Sequence, residues 1–276
     1  MHHQTIQIME IIGYVASIAI GISLGLIGSG GSILTVPVLV YLFGVNPIIA
    51  TSYSLFVVGL SSVFGAYPKF KQHLISFKTA FVFAIPSLIA VFITRTFILP
   101  IVPNHIINIY GFEITKSILV MLVFATLMIL ASISMIREKK CVGCPDEPEN
   151  LDFNYPLILL EGTIIGVLTG FVGAGGGFLI IPALVMLSKL TMKRAVGTSL
   201  TIIAINSSVG FIGSMLTHHE HLQYSLLFSV TGFAVVGIFI GNQLSKNIDG
   251  FRLKKGFGVF VLLMGTYILW KELMGN

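Results

Sequence analysis

The chain has 276 residues, a mean hydropathy of +0.97, 55% hydrophobic residues and 10% charged ones, whereas a soluble domain carries about a quarter charged residues. That composition excludes a globule that covers itself with water-compatible surface. The formal net charge of +5 is spread over short loops, which argues against nucleic-acid binding and for orientation in a lipid bilayer.

Eight apolar segments are predicted, near 11–44, 47–68, 76–98, 114–136, 156–188, 191–216, 222–245 and 253–273, each long enough to suggest a membrane span. The opening MHHQTIQIME has no basic n-region, so the first apolar run reads as retained structure rather than a cleaved signal peptide. Segment 1 contains GLIGSGGSILTVP from Gly25 to Pro37, and segment 5 contains GFVGAGGGFLIIP from Gly170 to Pro182. Both segments exceed 30 residues. A straight helix of that length would reach nearly 50 Å against a hydrocarbon core of about 30 Å. Tilt absorbs part of the excess, but glycine is a poor helix former that accepts unusual backbone angles. Each long segment therefore reads as two helical pieces joined at a glycine break, or as a hairpin.

The central stretch REKKCVGCPDEPENLDFNYP is the most polar part of the chain. It divides residues 1–136, a first transmembrane repeat, from 156–276, a second one, by a cytoplasmic linker at 137–155. Gly28, Gly30, Gly31 and Pro37 precede Gly173, Gly175, Gly176 and Pro182 by 145 residues. The same step takes Ala50, Ser54 and Leu55 of ATSYSL to Ala195, Ser199 and Leu200 of AVGTSL, Gly65 to Gly210, and His73 to His218. One register held through two separated motifs predicts an internal duplication. The fold class expected is an all-α polytopic membrane protein.

Positive loops face the cytoplasm. Basic groups lie at Lys69, Lys71 and Lys78, at Arg137, Lys139 and Lys140, at Lys189, Lys193 and Arg194, and at Lys246, Arg252, Lys254 and Lys255. If segments 1 and 5 each enter and return, all four groups share one face, each repeat makes five passes, and the repeats are inverted. A single tilted, broken span leaves them on different faces.

In hydrocarbon an unpaired backbone group costs several kcal/mol, so broken helices are buried or line a polar cavity. The first amides of a helix also form an anion site. The substrate-binding candidates at the breaks are Gly28, Ser29, Gly30, Gly31, Ser32, Gly173, Gly175, Gly176 and Gly177; close helix packing is the alternative use of these glycines. Hydroxyls and an amide add Ser52, Ser54, Thr198, Ser199 and Asn206, since they donate to an oxyanion at less desolvation cost than a charge. Local bonding to helix carbonyls is the alternative for the hydroxyls.

Glu161, near the start of segment 5, is a candidate for proton coupling. His73 and the cluster THHEH from Thr217 border spans and read as hydrated turns. Cys141 and Cys144 are the two cysteines, too few for a disulfide framework or a four-ligand zinc site. No metal site, nucleophile triad or phosphate loop is predicted, which makes an enzyme an unsupported reading and implies no cofactor. The expected partners are the bilayer, a small anion and a coupling proton or other ion.

On GLIGSGGSILTVPVL with ATSYS, and GFVGAGGGFLIIPAL with RAVGTSL, the chain resembles the sulfite exporter TauE/SafE family of membrane permeases over nearly its full length. The resemblance implies a multi-pass carrier in a prokaryotic inner or plasma membrane that moves sulfite, sulfonates or related organosulfur anions; the expected mechanism is a secondary carrier that alternates access by moving one repeat against the other. Ser29 and Ser32 stand where the second motif has Ala174 and Gly177, which puts a symmetric site in doubt. A small-anion channel, and a membrane scaffold or thiol redox sensor centred on the cysteines, are the competing readings.

Overall fold

A computed structural model describes residues 2–28, 31–103, 105–109, 112–137, 155–173, 175–186, 190–217, 223–245 and 250–274. Segment 1 is divided into α1 (His2–Ile27) and α2 (Ser32–Tyr41), and segment 5 into α7 (Tyr155–Val172) and α8 (Gly177–Met186). The glycine clusters therefore interrupt both long helices. Between them run α3 (Pro47–Lys71), α4 (Phe77–Ile93) and α6 (Lys116–Arg137). Helix α4 continues through a π-helical turn at Thr94–Ile98 into α5 (Leu99–Ile101). The second half continues with α9 (Met192–Thr217), α10 (Tyr224–Leu244) and α11 (Gly250–Met274). One element departs from the all-helical expectation: β1 (His105–Ile109) pairs antiparallel with β2 (Phe112–Thr115) in a hairpin before α6.

Six helices among the described residues are long and apolar enough to cross a membrane, and two shorter apolar helices cover Ser32–Tyr41 and Pro156–Val172. Large apolar side chains face outward, among them Ile11, Phe81, Leu130 and Phe228. In water such a surface would be an aggregation hazard; in a bilayer it is the lipid-facing belt. The local signals are those expected. Asn46 caps α3 by accepting the Ile48 N–H at 3.0 Å, with Pro47 opening the helix as its fixed φ favours.

The two halves interleave. The most extensive contacts of α1 are with α10, and those of α7 are with α4. Helix α3 packs on both α9 and α10, and α9 packs on both α3 and α4. Exchanging α1, α2, α3, α4 and α6 with α7, α8, α9, α10 and α11 leaves this pattern unchanged, so the halves pack as a pseudo-two-fold pair.

The correspondence extends to single residues. A Cβ on Gly21 would strike the Ala234 carbonyl, as one on Gly166 would strike that of Ser87. Gly65 abuts Ile238 and Leu200, as Gly210 abuts Val91 and Leu55. The first three helices of each half thus match at the 145-residue step read from the sequence, while α4 and α10 match at 147. Two hydrogen bonds repeat as well. The Ser76 N–H, ahead of α4, donates to Thr198 Oγ1 at 2.9 Å, and the Gln223 N–H, ahead of α10, donates to the Tyr53 hydroxyl at 2.6 Å.

Candidate functional site

The second break is built by backbone angles that only glycine adopts at no steric cost. After α7 ends at Val172, Gly173 has φ +73°, and the successive Gly175 and Gly176 have φ +67° and +66°. The Gly173 N–H still donates to Thr169 O at 2.8 Å, and Gly176 O accepts from Leu179 and Ile180 as α8 starts. Gly173, Gly175, Gly176 and Gly177 are all buried. At the first break Gly28 has φ +87°, Gly31 is right-handed at φ −63°, and α2 follows at Ser32. Gly28, Gly31 and Ser32 are buried there, while Ser29 and Gly30 lie outside the described residues.

The most informative residue at the second break was not among those singled out above. Arg95 lies in the π-helical turn after α4 and is 1% exposed. Its Nη1 donates to Thr51 Oγ1 at 2.9 Å and reaches Ser52 Oγ at 3.4 Å. Its Nε and Nη2 have no hydrogen-bond partner. A Cβ on Gly173 would come within 2.6 Å of Nη2 and would also collide with Thr51. Gly173 is therefore the point at which the break, the start of α3 and the guanidinium meet. The signal available in the sequence was a lone arginine inside an otherwise apolar run, a functional marker by default in a membrane segment. A π turn redirects a helix locally and recurs at functional sites.

Hydroxyls crowd the same region. Thr94 and Thr169 are buried with unpartnered oxygens; Thr94 lies against Gly170 and Thr169 against Gly176. Ser207 Oγ, likewise unpartnered, is 2.8 Å from where a Cβ on Gly175 would stand. A buried polar group without a partner costs roughly 1–3 kcal/mol, so this cluster is suited to receiving a polar guest.

The remaining candidates separate. Ser52 belongs to the Arg95 cluster. Ser54 is fully buried with an unpartnered hydroxyl. Asn206 is fully buried, its Nδ2 donates to Ser87 Oγ, and its Oδ1 is unpartnered. Thr198 is taken by Ser76, and Ser199 Oγ donates to Val196 O one turn back at 2.9 Å, the local bond weighed against a binding role. Glu161 is partly exposed on α7, eleven residues before the helix ends at Val172, or about 16 Å at helical rise. It is not part of the break. His73 lies in an exposed turn with φ 55°. No metal-holding group of His, Cys, Asp or Glu occurs among the described residues; Cys141, Cys144 and His218–His221 lie outside them.

The profile of the sulfite exporter TauE/SafE family matches residues 14–268. The chain belongs to that family. Relatives of this TauE/SafE protein include a "Probable membrane transporter protein" of Xylella fastidiosa (strain Temecula1), 25% identical over 257 residues and covering 92% of each chain. "Probable membrane transporter protein YunE" of Bacillus subtilis is 27% identical over 282 residues, covering 94% of this chain and 98% of its own. No solved structure matches significantly. With its apolar helices, the TauE/SafE chain is a multi-pass membrane transporter.

Proposed function

We propose that this chain is a secondary carrier of small sulfur-containing oxyanions, such as sulfite or a sulfonate, in the inner or plasma membrane of a prokaryote. The observation that carries this reading is the pair of buried helix breaks in pseudo-two-fold positions, one beside a buried guanidinium with unused donors. Such breaks concentrate amides and a positive partial charge where a membrane otherwise offers no partner for an anion. Two repeats, 1–136 and 156–276, inverted in the membrane and meeting near the midplane, give the arrangement by which carriers alternate access. The family name supports the sulfur oxyanion, and the membrane-transporter relatives support translocation over covalent chemistry.

The test is counterflow in proteoliposomes. Unlabelled sulfite inside should accelerate entry of labelled sulfite, with thiosulfate, methanesulfonate and acetate compared in one panel. Flux unaffected by internal anion, with measurable conductance, would make the protein a channel instead.

A further inference from the structure

Resting on the carrier reading, we propose that Arg95 captures the anion as a two-point ligand, at the second break alone. The geometry of the guanidinium carries this. Thr51 and Ser52 engage only Nη1. The two nitrogens left over, Nε and Nη2, are those whose N–H bonds run parallel along one edge of the group. That edge matches two oxygens on a single sulfur, phosphorus or carbon centre, the arrangement for which arginine is suited and lysine is not. A simple structural tether would instead be expected to use this edge on a carbonyl or carboxylate. Among the described residues, the charged side chains that are buried are Arg95 and Lys116, and no acidic one is. With none of these described acidic side chains to neutralise it, the proposed anion serves as the counter-ion of Arg95.

The site around this edge is built. Thr51 accepts from Arg95 while donating to Ile48 O at 2.6 Å, so its hydroxyl is held in one orientation. Nη2 lies against the left-handed Gly173, and α8 begins four residues later at Gly177. The break at Gly173 thus leads directly into the ten-residue α8, whose N-terminal end carries a positive partial charge. Glycine at 173 lets Thr51 and Nη2 come closer to the backbone of the break than any side chain there would allow.

Among the described residues, the first break lacks this chemistry. The position that corresponds to Arg95 is Asn242, placed by its backbone N against Gly25 much as Thr94, next to Arg95, stands against Gly170. Asn242 is buried and both atoms of its amide are unpartnered, but it brings no charge. Where the second break sets Thr51 against Gly173, the first sets Val196 against Gly28. Two breaks at equivalent places in the halves therefore make one charged binding site.

Binding of 35S-sulfite to the purified full-length protein, with methanesulfonate and thiocyanate as competitors, tests the assignment separately from transport. Arg95→Gln should weaken sulfite binding about 100-fold, as expected for losing one partner of a buried charge pair. Arg95→Lys keeps the charge and loses the parallel edge. It should lower sulfite affinity at least tenfold and abolish the preference for methanesulfonate over thiocyanate. Asn242→Ala should leave sulfite affinity within twofold. If Arg95→Gln does not insert, Arg95→Lys decides. Sulfite affinity and selectivity unchanged in Arg95→Lys overturn the two-point ligand while leaving the carrier intact if counterflow persists. Sulfite held through Arg95 without counterflow supports the binding site and overturns the carrier. Wild-type protein that binds none of the three anions overturns both.

Discussion

The two helix breaks each begin at a left-handed glycine, Gly28 or Gly173, but differ in hand at the equivalent Gly31 (φ −63°) and Gly176 (φ +66°) and in what surrounds them. At the second, Arg95, Thr51 and Ser52 converge on Gly173; at the first, Val196 fills the corresponding position against Gly28. Two halves can thus pack alike, down to the glycine contacts, while one break carries a buried charge and the other a neutral amide. Backbone symmetry is set by close approach between helices. Binding chemistry is set by a few side chains that such packing leaves free to change.

The largest expected effect comes from filling the charged break. Gly173→Ala places a Cβ against Thr51, including its carbonyl oxygen, and within 2.6 Å of Arg95 Nη2, at φ +73°. Strain of about 1–3 kcal/mol at the left-handed position adds to the collision. Sulfite flux in proteoliposomes should fall below about a tenth of wild type, and Thr51→Ala should not restore it because the carbonyl remains.

Gly28→Ala is the sharper comparison. Its Cβ meets the Val196 side chain, 2.6 Å from Cγ1, so Val196→Ala should recover part of the lost thermal stability. A coupling of about 1 kcal/mol in the double-mutant cycle would distinguish this break from the other. Equal rescue at both breaks would remove the contrast.

Smaller again are the two matched clamps. Thr198→Val and Tyr53→Phe each remove an acceptor for a backbone N–H and should each cost about 1 kcal/mol by thermal melting, with sulfite affinity unchanged. Least of all, Ser199→Ala removes a bond within its own helix and should shift stability by less than about 0.5 kcal/mol.

The 145-residue correspondence between the halves and both helix interruptions were legible because they rest on glycine clusters, whose conformational demands are local. The family was legible for the same reason. Arg95 was present as a signal, a charge within the run Phe77–Ile101, but was not singled out, whereas Glu161 was, and it lies near the start of α7 as read. What no local pattern conveys is partnership across the chain. Thr198 and Ser199 sit side by side in one motif, yet the first is engaged by Ser76 from α4's cap and the second by its own helix. Asn206 meets Ser87 across 119 positions. Of the hairpin strands FEIT alternates apolar and polar residues but HIINI does not, so the hairpin carries a weaker signal than the apolar runs on either side.

The interleaving of the halves bears on how such a protein could cycle. Gly21, Gly25, Gly237 and Gly241 let the backbones of α1 and α10 approach so closely that an added methyl would strike main-chain atoms, and Gly162 and Gly166 do the same for α7 against α4. Seams this tight do not part readily. Rocking the first half as a block against the second would have to open both. An alternating-access cycle that spares them would keep α1 with α10, and α7 with α4, as two bodies each drawn from both halves.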